Sequence, residues 1–185
     1  MTSQRPLSGC VIVSGMPGAG KSTVKRLAAR QFPRAAQVKA DDVNEMILSG
    51  RVWALGQPAD EAARQQALCE RNLTSLANNF IDCDFMVLMD ELVRDRAELD
   101  RLLQLTAPRP VALVTLAPSI DVCEHRNATR DPDESWQFDG YVELEATLQR
   151  ELGDAGWWFD TSALGPEQTA ARIVRDAWTR GLIRS

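Results

Sequence analysis

The stretch Cys10-Val11-Ile12-Val13-Ser14-Gly15-Met16-Pro17-Gly18-Ala19-Gly20-Lys21-Ser22-Thr23 decides how the chain is read. Its first five residues are mostly apolar and β-branched and stop at Gly15, the pattern of a strand buried on both faces. Residues 21–32 follow with Val24, Leu27, Ala28 and Phe32 at helical spacing, and Pro33 stops the run. Between them, residues 15–22 fit G-x-x-x-x-G-K-[ST], the phosphate-cradling loop, in the strand–loop–helix context that the motif requires. Glycines let the backbone wrap closely, so successive N–H groups point at a phosphate. The helix that begins at Gly20 adds its positive end. Lys21 can reach the β- and γ-phosphates of a nucleotide, and the Ser22 hydroxyl is placed for Mg²⁺. The expected nucleotide-binding set is therefore Gly15, Met16, Pro17, Gly18, Ala19, Gly20, Lys21, Ser22 and Thr23.

Outward from this loop, strand-like and helix-like segments alternate. Residues 35–40 read as a second, weaker strand, and Val43, Met46 and Ile47 mark a short helix closing at Gly50. Residues 59–81 read as a long helix with Leu73, Leu76, Ala77 and Phe80 on one face. A third strand at 85–89 runs into Asp90-Glu91, a helix covers 97–105, and Pro110 and Pro118 bracket a fourth strand at 111–116. Ser119 is a candidate cap for a helix that reaches about residue 130. Residues 130–140 are polar, hold a proline and read as a mobile segment. Tyr141, Leu144, Leu148 and Leu152 give another helix, residues 157–159 a fifth strand, and Pro166 opens the last helix. Five strands alternating with helices predict an α/β fold with a parallel sheet, in one domain over residues 1–185.

Composition narrows the function. One histidine, His125, excludes two-histidine zinc sites. Cys10, Cys69, Cys83 and Cys123 form no CxxC pair and read as free thiols, three of them buried. The net charge is −5, with no basic face of the kind that nucleic acids select. The 44% hydrophobic residues include no run long enough to cross a membrane, and the apolar run at 10–14 is too short for a signal peptide. The expectation is a cytoplasmic protein, monomer or homodimer, with a small-molecule partner rather than nucleic acid or membrane.

Guanine-specific GTPases carry N/T-K-x-D late in the chain. The only K-x-D here is Lys39-Ala40-Asp41, early and without the preceding Asn or Thr. A transporter-type signature is also missing, which leaves the small kinases. Residues 14–23, Asp41-Asp42 after the second strand, Asp90 after the third and Arg126 to Arg130 after the fourth resemble the P-loop small-molecule kinases. The nearest patterns are those of chloramphenicol phosphotransferase-like proteins, gluconate and shikimate kinases, and the kinase domain of polynucleotide kinases. The resemblance implies the P-loop NTPase fold with a five-stranded sheet in the order 2-3-1-4-5.

It also implies roles. Asp41 stands where such kinases place the carboxylate that takes the proton of an acceptor hydroxyl, and an alcohol needs such a base. A cap on a helix starting near Val43 is the alternative for Asp41 and Asp42. Asp90, with Ser22, is expected to hold Mg²⁺. Arg126 and Arg130, four apart in what would be a short lid over about 126–140, are expected to cover the phosphates beside Lys21 during transfer. Asp42, Asn44 and Glu91 are candidate acceptor contacts. Asn44 replaces the arginine of polynucleotide kinases, which weakens the nucleic-acid reading. Trp53 and Trp136 could each stack on a ring of substrate or adenine, and packing is the preferred reading for both. The expected function is ATP-dependent transfer of the γ-phosphoryl group to a hydroxyl of a small molecule such as an antibiotic, sugar or nucleoside. The alternatives are a polynucleotide or nucleotide kinase, or a non-catalytic ATP-binding switch.

Overall fold

A computed structural model describes residues 8–54, 56–129 and 138–183. Five strands, β1 (Gly9–Gly15), β2 (Ala35–Lys39), β3 (Met86–Asp90), β4 (Val111–Leu116) and β5 (Trp157–Phe159), form one sheet in the order β2-β3-β1-β4-β5. Every pairing is parallel. The strand order and all five strands match the sequence reading to within a residue. Among the described residues seven helices follow: α1 (Lys21–Ala29), α2 (Ala40–Glu45), α3 (Ala59–Ile81), α4 (Arg96–Thr106), α5 (Ile120–Ala128), α6 (Tyr141–Leu152) and α7 (Pro166–Arg180). Helices α1 and α7 pack against each other, and α3 packs with α4.

The central strands are buried on both sides, which is why their sequences are continuously apolar instead of alternating. Ile12, Leu88, Met89 and Leu113 are among the residues fully removed from water, each contributing about 1.5–3 kcal/mol. Strands β1 and β3 are neighbours, yet the chain leaves β1 toward β2 and leaves β3 toward β4. Their C-terminal ends therefore open a crevice, the place where open parallel sheets bind ligands.

Three local readings are corrected. Leu76 and Phe80 lie on the rim of α3, and its buried face is Cys69, Leu73, Thr74, Ala77 and Ile81 together with the carboxylate of Glu70. That carboxylate accepts two hydrogen bonds from Arg101 of α4, at 2.8 and 2.9 Å. Glu98 of α4, fully buried, accepts from the Arg94 backbone at 2.8 Å and from its side chain at 3.2 Å. The Glu70–Arg101 pair joins two helices 31 positions apart, so helical spacing gave no sign of it, whereas Glu98 reaches back only four residues to Arg94. Helix α2 begins at Ala40, three residues earlier than expected, with Lys39 as its N-cap residue. Asp41 and Asp42 are thus first-turn residues and neither one caps. Ser119 is the N-cap residue of α5 but makes no side-chain cap bond.

Candidate active site

The phosphate loop has the shape that its glycines demand. Gly18 has φ +76°, and a Cβ there would lie 2.1 Å from the Cys123 carbonyl oxygen, so only glycine lets the loop rest on α5. Gly20, the N-cap of α1, has φ +94°. The Lys21 ammonium donates to the Gly15 and Met16 carbonyls at 2.6 and 3.1 Å, a folded-back posture over its own loop. Met16 and Ala19 bury their side chains in the core, so their share in phosphate binding is limited to the backbone.

The register between strands assembles the rest. Asp90 lies opposite both Val13 of β1 and Lys39 of β2. From there it accepts a hydrogen bond from the Ser22 hydroxyl at 3.0 Å. Lys25 of α1, which the sequence reading did not single out, lies 3.3 Å from the same carboxylate oxygen. Two residues past Lys39, Asp41 is 69% exposed and lies 3.1 Å from the Lys39 ammonium, with Asp42 3.8 Å from it. Burial works against the charged Lys39. Its bond to Asp41 and the charges of Asp41, Asp42 and Asp90 outweigh that and hold its pKa above the ordinary value.

All these groups open into one cavity of about 1240 Å³. Pro17, Gly18, Gly20, Lys21, Ser22 and Thr23 line it beside Asp90, and Asp41, Asp42, Asn44 and Glu91 line it as well. Arg26, Arg51, Arg94, Gln65 and Gln66 also reach its wall, none of them anticipated from sequence. Glu91 is buried with one carboxylate oxygen unpartnered. Burial, reinforced by Glu98 nearby, pushes its carboxyl well above the usual range, and Arg94 offsets only part of this. Trp53 is 57% exposed and lines the cavity. Gln65 holds the wall there: it accepts from the Val52 backbone and donates to the Gly50 carbonyl, both at 2.8 Å.

Arg126 is not among the residues lining the cavity. Its guanidinium donates to the Thr161 carbonyl at 3.4 Å, on α5 beneath the phosphate loop. Arg130, Trp136 and most of the expected lid lie outside the described residues. Cys10, Cys69 and Cys123 are buried and Cys83 is exposed, all four free as expected.

Ser22 and Asp90 present two hard oxygens 3.0 Å apart at the start of α1. That donor set suits Mg²⁺ sharing its remaining ligands with phosphates and water. A family profile matches residues 10–148, three quarters of the chain, and its description is an AAA domain, AAA_33. The chain belongs to that AAA domain family. No curated protein sequence matches it. Among solved structures, this AAA domain is similar to a sugar kinase from Janibacter sp. HTCC2649, at 20% identity over 91% of this chain and 93% of that one, TM-score 0.68. It is similar to the Deinococcus radiodurans tunicamycin resistance protein, at 19% identity over 96% and 99%, TM-score 0.66. It also resembles a gluconokinase from Sinorhizobium meliloti 1021, at 21% identity over 94% and 91%, TM-score 0.59. The family resemblance and the fold read from the sequence are thus borne out. No described helix is long and apolar enough to cross a membrane.

Proposed function

We propose that this AAA domain is a kinase that moves the γ-phosphoryl group of ATP to a hydroxyl of a small molecule. The observation that carries the reading is the single cavity that holds the phosphate loop and the Asp41 carboxylate together at the C-terminal edge of the sheet. A binding protein that used ATP only as a switch would not need a carboxylate aimed into the same space. The likeness to proteins named as kinases of sugars and gluconate supports the same chemistry.

The loop amides and Lys21 hold the triphosphate, with Lys21 leaving the carbonyls of Gly15 and Met16 for the phosphate oxygens. Mg²⁺, held through Ser22 and Asp90, supplies neutralisation of charge on the phosphate oxygens. Asp41, 3.1 Å from the Lys39 ammonium, accepts the hydroxyl proton as the acceptor oxygen bonds to phosphorus and the bond to the β-phosphate oxygen breaks. Arg126 and Arg130 are proposed to stabilise charge on the transferring phosphoryl group. Asp42, Asn44 and Glu91 are proposed as acceptor contacts, with Trp53 as the wall against a ring. A carboxylate at position 41 would repel an acceptor phosphate, which places a hydroxyl ahead of a nucleoside monophosphate.

The test is ATP consumption across sugars, sugar acids, nucleosides and hydroxyl-bearing antibiotics, with mass spectrometry of the product. One added phosphoryl group on a small hydroxyl compound is expected. Tight ATP binding with no acceptor consumed would favour the switch reading. Preferential use of a nucleoside monophosphate or a 5′-hydroxyl oligonucleotide would favour the nucleotide-kinase reading.

A further inference from the structure

Lys25 is a charged residue that the mechanism leaves unused. Lysine is almost never fully buried unless it is paired. Here the side chains of Lys25 and Asp90 are 5% and 6% exposed, with Nζ 3.3 Å from Oδ2. The same Oδ2 accepts the Ser22 hydroxyl at 3.0 Å. Lys25 follows Lys21 by four positions, so α1 carries both ammonium groups along one face, and both line the cavity. Lys39, opposite Asp90 in the β2–β3 register, is committed to Asp41 and Asp42. The buried charge of Asp90 is therefore balanced inside the protein by Lys25.

We propose that Lys25 is the resident counter-ion of Asp90, a positioning residue that holds the carboxylate on Ser22 and keeps the Ser22–Asp90 pair from taking a divalent cation until a nucleotide brings one. The proposal rests on the reading that Ser22 and Asp90 form the metal side of the nucleotide site. Two oxygens are few for a hard cation that wants six, and the described residues contain no group of three acidic, His or Cys side chains that could hold a metal. An ammonium this close to the shared oxygen opposes a dication in a dry site, where charges act strongly. The oxygens and negative charge of a triphosphate remove both obstacles at once.

The test uses nucleotide-free protein, with Mn²⁺ binding followed by electron paramagnetic resonance and melting followed with and without Mg²⁺. Wild type is expected to bind Mn²⁺ only weakly, and to gain melting temperature from Mg²⁺ with ATP but not from Mg²⁺ alone. Lys25→Met leaves Asp90 unbalanced, so it should melt lower without metal. It should bind Mn²⁺ at least about tenfold more tightly than wild type. Mg²⁺ alone should raise its melting temperature by about 3–5 °C for each tenfold excess over the dissociation constant. Lys25→Arg keeps the charge and should behave as wild type does. Lys25→Met with Asp90→Asn removes both charges and should lose the metal response.

Tight Mn²⁺ binding by empty wild type overturns the proposal, as does a Lys25→Met protein indifferent to Mg²⁺, or a response that persists in the double variant. Should Lys25→Met fail to fold, refolding in Mg²⁺ is expected to recover it, and no recovery overturns the proposal. A wild type that gains nothing from Mg²⁺ with ATP would instead refute the nucleotide site itself.

Discussion

The phosphate end of the cavity is built from backbone and buried charge, whereas the Asp41 end is built from exposed side chains on α2 and a loop. At the first end, Gly18 lies on the Cys123 carbonyl, Lys21 on two loop carbonyls, and Asp90 between Ser22 and Lys25. At the second end, Asp41 is 69% exposed and Arg51 and Trp53 are carried by a loop that Gln65 ties down. On the proposed function, the phosphate end does one thing, and the other can be rebuilt for different acceptors without disturbing the sheet. Loops on a rigid scaffold commonly divide the labour in this way.

The sharpest way to break this comparison is Lys21→Ala. Removing a donor from the phosphate bed should lower turnover by roughly 10³ or more and weaken ATP binding in calorimetry, with the melting temperature little changed. A variant with near-normal turnover would end the phosphate-loop assignment. Two glycines compare the rigidity of the ends. Gly18→Ala combines a left-handed backbone with a backbone clash and should cost about 2–5 kcal/mol, read as a melting drop of about 5–15 °C. Gly50→Ala has φ +74° but open space around it, so about 1–2 kcal/mol is expected. Equal losses would mean that both ends are equally tight.

Gln65→Ala should loosen the wall that carries Arg51 and Trp53. We expect the acceptor KM to rise by roughly tenfold while the KM for ATP holds, the signature of lost ground-state binding. A matched rise in both would place Gln65 in general stability instead. The smallest effect is chemical. Burial pushes the Cys10 and Cys69 thiols up to about 12 and Cys123 to about 11, so at mild alkaline pH these three stay protonated. One thiol per chain, Cys83, should react quickly with a disulfide reagent. Fast reaction of two or more would show the core beneath the phosphate loop to be open.

The phosphate end was legible because its information is contiguous. One run from Cys10 to Thr23 carries strand, glycines, lysine and hydroxyl, and the apolar runs of β3 and β4 locate its neighbours. Asp90 could be named because it ends a strand. The Asp41 end is spread over α2, the loop, α3 and the residues after β3, so Gln65, Gln66, Arg51 and Arg94 have no local mark. The helix start at Ala40 was missed because Asp41-Asp42 looks like a cap, while the N-cap residue is Lys39, two positions before Asp41. Lys25 did have a signal, a second lysine one helical turn beyond Lys21. Its burial depends on Asp90, 65 positions later, and spacing alone reads it as solvated.

Asp41→Asn beside Asp42→Asn tests the central claim most directly, once an acceptor is in hand. Both residues occupy the first turn of α2 and neither caps it, so exchange for asparagine should leave melting almost unchanged. If Asp41 takes the proton, its variant should lose roughly 10²–10⁴ in turnover with ATP affinity intact, while Asp42→Asn keeps most activity. Full turnover in Asp41→Asn would contradict the account, whatever else the cavity binds.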